Sequence, residues 1–158
     1  MSTFNIDNIT LTREEAENIV RRAAWCADNV DLADEFSDYG CVWDGDGAAL
    51  YGKAFDMINP VYTYGVCRGR HEMPVDDYIF EEITEPMNFI MGLYATAAKK
   101  IPQDATRVAI YVTGLTQATL AITAVCATRN IELWAYHYDK ETGEYKPQRV
   151  LKRDWHKV

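Results

Sequence analysis

The sequence predicts an α/β fold in which a βαβ unit spans residues 107–138, a hairpin follows it and a helical segment precedes it. Three observations carry that prediction. Val108 to Val112 is a short apolar run with β-branched and aromatic residues, the composition of a buried strand. Thr116 to Arg129 holds helix formers with apolar positions on several faces, and Asn130 closes it. Ile131 to Tyr138 then returns to strand composition. A connection of this length is the size of a right-handed crossover joining two parallel strands.

Residues 1–11 are polar and read as an arm or short edge segment. Thr12-Arg-Glu-Glu15 has the capping-box pattern, with Leu11 placed as a hydrophobic staple. The helix it opens carries apolar residues at Ala16, Ile19, Val20, Ala23, Ala27 and Val30, one amphipathic stripe. Asp31 to Gly47 is acidic and reads as a solvated loop. Within it Asp44-Gly-Asp-Gly47 lacks the other ligands and the closing glutamate of a calcium loop. Ala48 to Ile58 predicts a second helix, ended by Asn59-Pro60.

Val61 to Cys67 and Tyr78 to Ile83 are strand-like. Thr84-Glu85-Pro86 is a helix start, with proline in the first turn. The apolar stripe expected of that helix is Met87, Ile90, Met91, Tyr94 and Ala97, and Lys99 and Lys100 complement its dipole. After the central unit, residues 139–144 form a hairpin loop with Gly143 in the left-handed position. Pro147 marks the return strand, which runs to Leu151, as an edge. The basic tail, 152–158, is expected to be mobile. The whole is read as one domain, with a mainly helical part at 1–60 and an α/β core at 61–151.

Apolar content of 48% and charged content of 25% fit an ordinary globular chain. No apolar run approaches the roughly 20 residues of a membrane span, and the N-terminus has no basic, apolar signal pattern. A cytoplasmic protein without membrane contact is expected. The net charge of −8 argues against binding long nucleic acid through its phosphates. A small anion in a local basic pocket remains compatible with it. Cys26, Cys41, Cys67 and Cys126 lack the close spacing of zinc or redox motifs and read as reduced thiols. Nothing implies a metal or cofactor, and the standard phosphate-loop, dinucleotide, nucleophile-elbow and zinc-helix patterns are missing.

The turn inside the βαβ unit is the first candidate site. Open α/β sheets bind ligands beyond the carboxyl ends of their strands, where helix N-termini present unpaired N–H groups. Thr113, Gly114, Leu115 and Thr116 occupy that turn, offering hydroxyl donors and a close backbone approach for an anion. The competing reading is that Thr113 or Gly114 caps the helix. Arg68, Arg70 and His71 form the second candidate group, because arginine forks match phosphate oxygens. Their competing role is surface pairing with Glu72, Asp76 or Asp77. His137 shares a strand face with Ile131, Leu133 and Ala135 and is expected to reach the same crevice as Thr113. Tyr62, Tyr64, Tyr111, Tyr136 and Tyr138 are either core or stacking faces for a nucleobase.

Arg68-Gly-Arg-His-Glu-Met-Pro74, Tyr111-Val-Thr-Gly-Leu-Thr116 and His137-Tyr-Asp-x-x-Thr-Gly-Glu-Tyr-x-Pro-Gln148 resemble segments of small, uncharacterised phage and prophage proteins of Firmicutes. The resemblance covers the C-terminal two thirds and names no activity. In layout, the central unit is also similar to CRISPR-associated Rossmann-fold domains that sense cyclic oligonucleotides. There a Thr-Gly turn after a strand meets the ligand's phosphates; here Leu115 replaces a second glycine, and the preceding helices are arranged differently. These likenesses imply a Rossmann-like three-layer core and a counter-defence role in the host cytoplasm. The expected activity is to bind and sequester a nucleotide second messenger, a cyclic nucleotide or an ADP-ribose-type signal, without cleaving it. A homo-oligomer is expected from the amphipathic first helix and the aromatic content. Two alternatives stay open. One is an acidic inhibitor that docks Asp31 to Asp46 on a host defence nuclease. The other is a phosphodiesterase acting through His71 or His137.

Overall fold

The computed structural model describes residues 8–28, 45–69, 71–84 and 90–154. The chain divides into two compact units, Met1–Pro60 and Val61–Val158.

In the first unit, helices α1 (Arg13–Asp28) and α2 (Gly45–Ile58) pack on each other. The capping box starts α1. The Glu15 carboxylate accepts the Thr12 backbone N–H at 2.7 Å, and the Thr12 hydroxyl accepts the Glu15 N–H at 3.3 Å. The Thr12 N–H, and after it the Thr12 hydroxyl donating at 2.9 Å, hold the Glu15 carboxyl below its ordinary range. Helix α2 begins at Gly45, so Gly45 to Gly47 belong to a helix and not to the acidic loop expected there. Glycine in a helix costs about 1 kcal/mol, which packing of a two-helix unit offsets. Residues 29–44, including the rest of that expected loop, and Val30 of the α1 stripe lie outside the described residues. At its end, Asn59 returns both its side-chain amide (3.1 Å) and its backbone N–H (2.9 Å) to the Phe55 carbonyl, and Pro60 follows.

The second unit holds a five-stranded sheet: β1 (Val61–Cys67), β2 (Tyr78–Phe80), β3 (Arg107–Tyr111), β4 (Glu132–Asp139) and β5 (Glu144–Leu151), in the order β2-β1-β3-β4-β5. The first four strands are parallel and β5 runs antiparallel along β4. Helix α3 (Ile90–Lys100) connects β2 to β3, α4 (Thr116–Thr128) connects β3 to β4, and the two helices pack together. A mostly parallel sheet with crossover helices is compatible with a Rossmann-like α/β fold.

Register explains the core. Tyr64, Ile110 and Ala135 lie abreast on neighbouring strands, as do Tyr62, Val108 and Leu133. Leu93 and Ala97 of α3 and Ala118, Ala121, Ile122, Val125 and Cys126 of α4 join the strand residues in one buried cluster. Burial pushes the Cys126 thiol up to about 12, which keeps it protonated and inert. Gly65 is buried where β1 meets β2, and a Cβ there would lie 2.4 Å from the Tyr78 ring and 3.1 Å from the Met73 sulfur. Asn130 ends α4 in the left-handed conformation, φ 53°, and Gly143 turns the hairpin at φ 71°.

Three expectations are corrected. In α3 the buried residues are Leu93 and Ala97, whereas Ile90 is 47% and Met91 73% exposed. Apolar residues cover so much of this helix's circumference that periodicity does not select a face; the sheet does. Glu85, Pro86 and Met87 of the expected helix start lie outside the described residues. Strand β2 stops at Phe80, three residues short of Ile83. The tail is anchored as far as Asp154. Asn130 exchanges two hydrogen bonds with the Asp154 backbone (2.8 and 2.9 Å), and the Arg153 guanidinium donates to the Asn130 carbonyl at 2.7 Å.

Urea titration checks the packing. Leu93→Ala is expected to cost about 2–5 kcal/mol and Met91→Ala less than about 0.5 kcal/mol. Equal losses would mean that α3 presents a different face to the sheet. Gly65→Ala, which must displace the Tyr78 ring, is expected to cost about 1–3 kcal/mol.

Candidate functional site

A cavity of about 660 Å³ lies where three segments of the second unit converge. The β1–β2 connection supplies His71 and Glu72. The β3–α4 turn supplies Val112, Thr113 and Gly114. The end of β4 and its hairpin supply His137, Tyr138, Lys140 and Tyr145.

The backbone explains why the cavity opens at the turn. The Val112 N–H donates to the Tyr136 carbonyl at 3.0 Å, continuing the parallel pairing one residue past β3. The chain then bends at Gly114, φ 78°, where a Cβ would meet nothing within 4 Å. Glycine is therefore required there by conformation and not by crowding. Leu115 is the N-cap of α4 and makes no side-chain capping bond. The helix ladder opens with the Thr119 N–H on the Leu115 carbonyl at 3.0 Å. The N–H groups of Thr116, Gln117 and Ala118 thus have no acceptor within the helix. The Thr113 hydroxyl oxygen is buried and has no hydrogen-bond partner. Neither Thr113 nor Gly114 caps the helix, which removes the competing reading of this turn.

Leu115 and Thr116 belong to the turn but not to the cavity wall: Leu115 packs against the core and Thr116 is exposed. His137 follows Leu133 and Ala135 on their face of β4 and reaches the cavity beside Thr113. His71 joins them from the β1–β2 connection. Arg68 does not. Its guanidinium pairs with Glu81, lies 4.4 Å from the centre of the Tyr78 ring and donates to the Asp76 carbonyl at 3.4 Å. The pairing raises Arg68 and holds Glu81 below its ordinary range. Surface pairing is thus Arg68's role, with Glu81 in place of the carboxylates expected; Asp77 instead takes Lys100 at 2.6 Å. Arg70 lies outside the described residues.

The wall is richer in donors than in acceptors. His71, His137 and Lys140 face one carboxylate, Glu72, and none of the three pairs with an acid among the described residues. Next to them Lys146 pairs with Asp139, and that contact, ahead of the Glu141 N–H, holds the Asp139 carboxyl low. The Tyr145 hydroxyl donates to the Glu72 carbonyl at 3.4 Å, joining hairpin to connection. Burial raises Tyr111 and Tyr145, so both hydroxyls stay protonated donors.

Sequence reasoning missed Glu72, Val112, Lys140 and Tyr145. The signal for Tyr145 was present: a hairpin turning on Gly143 sets it opposite Tyr138. Among the described residues no group of three or more His, Cys, Asp or Glu is placed to hold a metal ion, and no helix is long and apolar enough to cross a membrane. Comparison with protein-family models, curated proteins and solved structures gives no match.

Two of the glycines with open surroundings, Gly114 and Gly52, separate conformation from packing. Gly114→Ala is expected to lose about 1–2 kcal/mol of stability, because its φ is positive. Gly52→Ala, inside α2 with nothing within 4 Å, is expected to gain about 0.5–1 kcal/mol. Thermal unfolding of both variants checks the sign.

Proposed function

We propose that this protein binds a nucleotide-type anion in the cavity at the β3–α4 turn and holds it without cleaving it. The observation that carries this reading is the meeting, in one cavity at the turn leading into α4, of Thr113 and Gly114 with His71, His137 and Lys140. Helix N-termini favour negative charge through their partial positive charge and aimed donors. His71, His137 and Lys140 add side-chain donors at short range, where the net charge of −8, spread over the chain, is screened. The cavity's volume falls within the range of small-molecule sites.

The position supports the reading as well. A Rossmann-like three-layer core places its ligands beyond the carboxyl ends of parallel strands, and the turn after β3 occupies that position. The biological role that accompanies it is counter-defence. In this role a cytoplasmic phage protein, acting as an oligomer, withdraws a cyclic nucleotide or ADP-ribose-type signal from the host.

Thermal shift with a panel of cyclic nucleotides and ADP-ribose tests the proposal. A true ligand at 100 times its Kd adds about 2.7 kcal/mol of stability and is recovered intact after denaturation. Lys140→Ala and His137→Ala are each expected to weaken it at least tenfold, about 1.4 kcal/mol, with little change in the free protein's midpoint. Thr113→Val is expected to stabilise the free protein by up to about 1 kcal/mol, since it removes a buried hydroxyl without a partner, while weakening the ligand. A panel in which no nucleotide moves the midpoint would sink the proposal.

A further inference from the structure

The hairpin wall of the cavity differs in chemistry from the turn wall. Parallel pairing sets Tyr111 beside Tyr136, and the antiparallel register sets Tyr138 opposite Tyr145. All four rings join in one row. Tyr136 stacks on Tyr111 with centroids 4.7 Å apart and planes at 15°; Tyr111 meets Tyr145 edge-on at 4.8 Å; Tyr145 meets Tyr138 at 5.3 Å. The row ends on Tyr138, which is 54% exposed and, with Tyr145, lines the cavity. Tyr138 packs on Tyr145, whose own place is fixed by Tyr111 and by the bond from its hydroxyl to the Glu72 carbonyl. A preorganised tyrosine face at a cavity wall loses little entropy on stacking with a flat ring.

We propose that Tyr138, backed by Tyr145, is a base-stacking subsite, so that the ligand is a nucleoside phosphate and not a plain anion or a sugar phosphate. This rests on the anion-binding reading above. The turn and basic side chains take the phosphate, and the hairpin takes the ring. Glu72, the one carboxylate among the described residues of the wall, accepts from a ring amine or sugar hydroxyl. The two ends of such a ligand require different walls, and this cavity has both.

Calorimetric titration of the full chain with adenosine 5′-monophosphate and ribose 5-phosphate separates the two ideas, because the probes share the phosphate and differ in the base. Stacking on one aromatic ring is expected to make the nucleotide bind about tenfold tighter. The ratio should fall to within about threefold in Tyr138→Ala and survive in Tyr138→Phe, which keeps the ring. Equal binding of both probes to the wild type, or an undiminished ratio in Tyr138→Ala, overturns the subsite and leaves the anion pocket standing. Failure of both probes to bind removes the pocket and the subsite together.

Discussion

Leaving β3, the chain must turn at the edge of a buried parallel strand and enter a helix within a few residues, and it does so without a capping side chain. Everything distinctive about the site follows from that constraint. Pairing of Val112 with Tyr136 carries the strand register one step further than β3 itself. The left-handed Gly114 then redirects the backbone, and Leu115, a poor N-cap residue, spends its side chain on the core. The first N–H groups of α4 are left without an acceptor in the helix, and the Thr113 hydroxyl without a partner, next to the cavity that Thr113 and Gly114 line. Packing has been satisfied at the expense of local hydrogen bonding, beside the cavity.

The other two walls are held by contacts that have nothing to do with the ligand. Arg68 with Glu81, and Lys100 with Asp77, fix the connection that carries His71 and Glu72. Lys146 with Asp139 closes the base of the hairpin. These pairs are exposed and individually weak. Their carboxyls are held below the ordinary range, so what they contribute is present above about pH 4 and fades as pH falls through the lowered values. Acid therefore loosens the walls before it reaches the apolar layer of β1, β3, β4, α3 and α4.

Much of the fold was legible in the sequence. Strand β1 and helix α4 fall within a residue of their expected limits, and Gly143, Pro147 and Asn130 have the conformations or edge position that their chemistry implies. The reason is that these features are local: a turn glycine or an apolar run declares itself. The face of α3 was not legible, because Ile90, Met91, Leu93 and Tyr94 offer too many apolar choices and only the sheet decides among them. The site was legible in half. Thr113, Gly114 and His137 follow from strand alternation and the position of one turn, whereas Lys140 and Tyr145 enter through hairpin register. Arg68 was misleading because a cation's partner is set by tertiary neighbours, here Glu81, and not by crowding along the chain.

The central claim is that the turn between β3 and α4 receives an anionic ligand. Backbone amide NMR during titration with a cyclic nucleotide addresses it most directly. The account predicts that the largest shifts fall on residues 113–118, with a second group at 137–145. Shifts confined to other parts of the sheet, or saturation with those amides unmoved, would contradict it.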